Sequence, residues 1–304
     1  IAEKEGVINI NINKLIQQNI QGDFSASPGI LGDLLRQHDY KTAVIGNSDI
    51  EQEELRPHGF ISMDSRGYID YGTVENTLIK ENRFSPFGIQ TDYEYLLDSF
   101  INIYEKADFI VIDTGDTNRL DRYKQNLTEK TYQVHKNNVL ENIDEFIANI
   151  CNNIDFNRTI LMIVTPYPSD YASSNGQRLT PVIIYNNYET GGILWSATTR
   201  RAGIVANIDI APTILSYFKI EPQNMIGKTM KTVSTIDRIN YINSLNEKVT
   251  NTSKQRYRVL YSFAVFQILV SIIAFLMIAF RKELQKSHML FSTILLSTIV
   301  VPFV

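Results

Sequence analysis

Carboxylates gather directly behind the apolar runs of this chain. Asp49 follows "VIGNS", Asp64 closes "FISMD", and Asp113 and Asp116 follow "FIVI" within "DTGDTNRLD". Oxygen donors of this kind suit a hard divalent cation, and a cation held there can clamp a phosphate. Arg119, in the same stretch, has a guanidinium fork that either contacts an anion or neutralises the acids beside it. Asp behind a strand is also ordinary turn and helix-cap chemistry, so each acid carries both readings. The turn "GNSD" at 46–49 can offer backbone N–H groups to an anion, or be a plain loop. Arg200 and Arg201 in "TTRRAG" read either as an acid-binding pair or as a solvated basic loop. The histidines are His38, His58, His135 and His288, none of them spaced from another as zinc ligands are. Cys151 is the single cysteine, which rules out an internal disulfide and a cysteine-based zinc cluster. The sequence has no P-loop, GxGxxG or GxSxG pattern.

The elements that must position these acids alternate between strand-like and helix-like runs. That alternation predicts an α/β fold, a mostly parallel sheet flanked by helices. "KTAVIG" (41–46) and "GFISMD" (59–64) read as buried strands, "DFIVID" (108–113) as a central strand, "TILMIV" (159–164) and "PVIIYN" (181–186) as two more strands, and "VINININKLI" (7–16) as an exposed one. "SPGILGDLLRQHDY" (27–40) reads as a helix with Leu31, Leu34 and Leu35 on its apolar stripe. "TDYEYLLDSFINIYEKA" (91–107) reads as a helix capped by Thr91 with Glu94 as its capping-box partner. Residues 128–153 form a long helix and 208–218 a short one, with Pro212 near the start of the latter. Ligands of open α/β sheets bind outside the carboxyl ends of the strands, where these acids fall.

With 304 residues, 44% of them hydrophobic, the chain can build one large α/β domain or two small ones. A net charge of -4 argues against a nucleic-acid binder, which would show a basic stripe. Val259 to Phe280 carries no charge and spans about 33 Å as a helix, enough to cross the hydrocarbon core of a bilayer. The expected organisation is a soluble domain over 1–245, a juxtamembrane linker over 246–258, a transmembrane helix over 259–280, and the start of a second at 289–304. A chain that starts at Ile1 and ends inside that second apolar run reads as a piece of a longer, multi-pass membrane protein. Basic residues stand on both sides of the first span, so the positive-inside rule does not orient it. A transporter with an accessory soluble domain is a further class, which charges inside the span would favour; 259–280 has none.

The stretch "GIVANIDIAPTILSYFKI" followed by "IGKTM" resembles the C-terminal signature of the alkaline phosphatase superfamily of phosphatases, sulfatases and phosphoglycerate mutases. "TPVIIY" is similar to the strand that precedes that signature, and "PGILGDLLRQHDYKTAVIGNSD" to a helix-then-strand unit of the same fold. The resemblance covers roughly 25–230 and implies an alkaline-phosphatase-like sheet on the extracytoplasmic side of the membrane. It implies a two-metal site of Asp and His with a Ser or Thr nucleophile, which would lie upstream of Ile1. Three ligand positions depart from the pattern. "LMIV" runs into Thr165 and Pro166 instead of Asp-His. Thr117 and Leu120 stand where a His should follow Asp113 or Asp116. Asn175 to Arg178 contain no His. Two readings follow. One is a catalytically degenerate scaffold or interaction domain with membrane-complex partners. The other is a hydrolase or transferase of phosphate-type esters, rebuilt around Asp49, Asp64, Asp113 and Asp116 with magnesium or manganese and with Arg119 on the anion.

Overall fold

The computed structural model describes residues 6–21, 27–51, 53–187 and 191–279. It has two compact units, residues 1–170 with 180–238, and residues 171–179 with 239–304.

The first unit opens with β1 (Val7–Ile8), α1 (Ile12–Ile20), α2 (Ile30–Gln37), β2 (Thr42–Gly46), α3 (Gly59–Ser62), β3 (Tyr68–Ile69) and β4 (Tyr71–Thr73). A hairpin of β5 (Ile79–Glu81) and β6 (Ile89–Thr91) leads to α4 (Tyr93–Tyr104), β7 (Phe109–Asp113), α5 (Asp116–Tyr123) and α6 (Glu129–Asn153). Then come β8 (Leu161–Val164), α7 (Asp170–Ser174), β9 (Val182–Tyr185), β10 (Ile193–Trp195), α8 (Ile210–Tyr217) and β11 (Lys231–Val233).

The fold is α/β, built on a parallel sheet in the order β4-β2-β7 and flanked by helices. β2 is central and every residue of it is buried, as a strand covered on both faces must be. Its side chains alternate: Ala43 and Ile45 join Leu96, Phe100 and Ile103 of α4 and Phe146 and Ile150 of α6, while Val44 faces Met63 and Ile69. A further core joins Leu31, Leu34 and Leu35 of α2 to Ile214 and Leu215 of α8, so the expected leucine stripe is the buried face of its helix.

Several sequence expectations change. "GFISMD" is one helical turn, not a strand, with Phe60 and Ile61 both exposed rather than alternating. Asp64 therefore does not end a strand. "VINININKLI" pairs only through β1, because Asn9 accepts the N–H groups of Asn11 and Ile12 and turns the chain into α1. Asp92, not Thr91, caps α4 by accepting the Tyr95 N–H. β8 and β9 pair antiparallel with each other and do not extend the parallel sheet.

The second unit holds most of α9 (Arg238–Ala279), which runs 42 residues without a break at 245 or 258. By length and composition α9 can cross a membrane. Its apolar part leaves Phe266, Ile268, Leu269, Ile272 and Phe275 half or more exposed, unlike the core helix of a soluble protein. The second apolar run, 289–304, lies outside the described residues.

Candidate functional site

Parallel pairing of β2 and β7 brings the turn 46–49 beside 113–116. Asp49, Asp113, Asp116 and Arg119 meet there, joined by His58 and Thr91.

Arg119 fills the centre. It is 1% exposed, and all five guanidinium N–H groups have partners within the chain. Nε and Nη2 donate to Asp116 Oδ1 at 3.1 and 3.0 Å. Nη1 donates to the carbonyls of Asn47 and Asp49 at 3.3 and 3.2 Å. Nη2 also donates to Thr91 Oγ1, whose own hydroxyl donates to the Thr114 carbonyl. The turn that admits the guanidinium needs Gly115, whose φ is +72°. A Cβ there would lie 2.1 Å from the Asn47 carbonyl oxygen and 2.5 Å from Arg119 Nη2.

Asp116 is equally committed. Besides Arg119 it accepts the Thr91 N–H at 3.1 Å and the Tyr93 hydroxyl at 3.0 Å. Burial, followed by the charge of Asp116, pushes the Tyr93 hydroxyl far above its ordinary pKa. The Asp49 carboxylate accepts Arg56 Nη2 at 2.7 Å and the Leu55 N–H at 2.7 Å. Asp64 is elsewhere: it holds a turn together through Arg66 Nη2 at 2.7 Å, the Tyr68 N–H at 2.9 Å and an ion pair to Arg36 at 3.2 Å. Burial raises its carboxyl, but the Tyr68 and Arg66 donors outweigh that and hold it below the ordinary range.

A divalent cation needs several carboxylate or carbonyl oxygens free to face it. Asp49, Asp64 and Asp116 already face guanidinium and N–H donors, and the expected anion contact, Arg119, keeps no donor for an anion. Among the described residues, no three of His, Cys, Asp and Glu are grouped so as to hold a metal. The residues present do not fit the two-metal site that the resemblance implies. The anion-binding turn also closes on itself, because the Ser48 N–H donates to the Leu55 carbonyl and the Asp49 N–H to Asn47 Oδ1.

Asp113 differs. Its side chain stays 22% exposed, with His58 Nδ1 at 3.3 Å and the Ser48 hydroxyl donating at 2.7 Å. Burial raises this carboxyl, but His58, Ser48 and the Gly115 N–H together hold it below the ordinary value. Sequence spacing hides His58, which sits just before α3 and reaches Asp113 only through tertiary packing.

The signature stretch has a local role. Asp209, fully buried at the start of α8, accepts Thr198 Oγ1 at 2.5 Å, the Lys228 N–H at 2.9 Å and the Ala206 N–H at 3.0 Å. Burial raises its pKa, but these donors and Ser196 prevail and lower it. Thr213 donates to the Asp209 carbonyl at 2.6 Å and accepts the Met230 N–H at 2.9 Å. "DIAPT" and "IGKTM" are thus tied into one knot.

No family model matches the chain, and neither a curated protein nor a solved structure matches it.

Proposed function

We propose that this chain is a membrane-attached α/β domain, similar in plan to the alkaline phosphatase superfamily, that no longer acts on esters and serves as a scaffold or interaction domain in a membrane complex. Arg119 carries the reading. Its buried guanidinium supplies from within the chain the positive charge that a catalytic cation would bring to Asp116 and the 46–49 turn. On the resemblance, the soluble domain faces the extracytoplasmic side. The test is turnover of generic phosphate esters by purified full-length protein with magnesium, manganese or zinc, beside elemental analysis. No turnover and no bound metal are expected, and turnover abolished by Asp116→Asn contradicts the reading.

One observation favours the alternative, a hydrolase or transferase of phosphate-type esters using a carboxylate-bound divalent cation. Asp113, His58 and Ser48 form an acid–base grouping at a strand end that Arg119 does not fill. This reading expects turnover that is lost in both Asp113→Asn and His58→Gln while folding persists.

A further inference from the structure

The junction between the polar and apolar halves of α9 has a pattern that neither half explains. From Lys248 to Ala279 the helix carries Lys248, Lys254, Arg256 and Arg258 and no acidic residue. Lys254, Tyr257, Arg258 and Tyr261 are spaced i, i+3, i+4 and i+7, so they share one face. All four are exposed, Tyr257 at 69% and Tyr261 at 76%. Lys254, Arg256 and Arg258 form no ion pair among the described residues. Val259 to Ala279, the apolar remainder, is about 31 Å long, close to the hydrocarbon thickness, which puts this face at headgroup depth. Helical side chains lean toward the N-terminus, so the Tyr261 ring lies along the apolar boundary while its hydroxyl returns toward the polar layer.

We propose that Lys254, Tyr257, Arg258 and Tyr261 form a site for the headgroup of an anionic phospholipid. The two cations, one turn apart, straddle a phosphate, and the two phenols donate to its oxygens from an amphipathic belt. The excess of cations without acids matches a negative lipid and gives no benefit with a zwitterionic one. The proposal rests on the reading that α9 crosses a membrane.

The test uses the full chain in neutral detergent. Fluorescence anisotropy follows a labelled short-chain phosphatidylglycerol, with a labelled phosphatidylcholine and free glycerol phosphate as comparison arms. Phosphatidylglycerol is expected to bind tightest. Lys254→Gln or Arg258→Gln should each weaken it about fivefold, and Arg256→Gln, on the other side of the helix, should weaken it less. Equal binding of both lipids, or equal losses from all three substitutions, overturns the proposal; glycerol phosphate binding as tightly assigns the site to free phosphates and overturns it too. Carbonate extraction from phosphatidylcholine vesicles separates the two premises. Release of the chain means that α9 does not span. Retention without a preference for phosphatidylglycerol means that the headgroup site alone has failed.

Discussion

Asp116 and Asp209 are both buried carboxylates at helix starts, yet the chain satisfies them by different means. Asp116 faces a full positive charge, Arg119, which is itself buried. Among the described residues Asp209 faces no cation at hydrogen-bond distance, and it is held by dipoles, the N–H groups of Ala206 and Lys228 and the Thr198 hydroxyl. A buried ion pair gives back little net stability while both partners are present, and costs heavily when one is removed. A carboxylate held by backbone donors ties together the segments that supply them. The Asp116 region therefore behaves as a filled charge cluster and the Asp209 region as a mechanical knot.

The largest effect should come from breaking the pair on one side. Arg119→Met leaves Asp116 charged and uncompensated, with an expected loss of about 3–5 kcal/mol in denaturant unfolding followed by Trp195 fluorescence. Adding Asp116→Leu should restore much of that loss, since an apolar pair can replace a buried ion pair. A single mutant as stable as the parent would mean that Arg119 does not neutralise the cluster.

Asp209→Asn should cost about 3 kcal/mol, because an amide replaces an acceptor-only group and turns an NH2 toward N–H donors. No double substitution should rescue it, in contrast with Asp116. Within the same knot, Gly227→Ala would place a Cβ 1.9 Å from the Ile208 carbonyl oxygen, against backbone that cannot yield cheaply. About 1–3 kcal/mol should be lost, measured the same way.

Acid sharpens the contrast further. The Asp113 and Asp209 carboxyls sit below their unfolded value, near 4, so their contribution is complete above that pH and is lost as pH falls through the lower folded values. The melting temperature should hold steady above pH ~4 and fall below it, and Asp209→Asn should flatten the fall. The smallest effect belongs to the exposed Arg122–Glu53 pair, where Arg122→Gln should cost under about 1 kcal/mol.

What the sequence revealed follows the same division. β2 and α2 are legible, because burial on both faces or a leucine stripe is written in local periodicity, whereas β7, expected as a central strand, stands at the edge of the sheet beside β2. The one-turn helix at Gly59–Ser62 was not, since four residues fit either period. The antiparallel pairing of β8 with β9 depends on partners that no local pattern names. Asp116 and Arg119 show in the sequence as an i, i+3 pair, but the burial of Arg119 does not. It is set by Thr91, Asn47 and Asp49, which lie 28 to 72 residues away. His58 is hidden for the same reason, since it meets Asp113, 55 residues on, only through tertiary packing. The sequence divides α9 between the end of the soluble domain, a linker and a span, because polar composition at 246–258 hides a helix that continues through it.

The central claim is that an arginine stands where a catalytic cation would be. Manganese anomalous scattering from crystals of the full-length protein, grown with and without Mn²⁺, addresses it directly. The expected result is Arg119 bonded to Asp116 in both, with no anomalous peak near Asp49, Asp113 or Asp116. A peak bridging those carboxylates, with the guanidinium swung aside, would contradict the account.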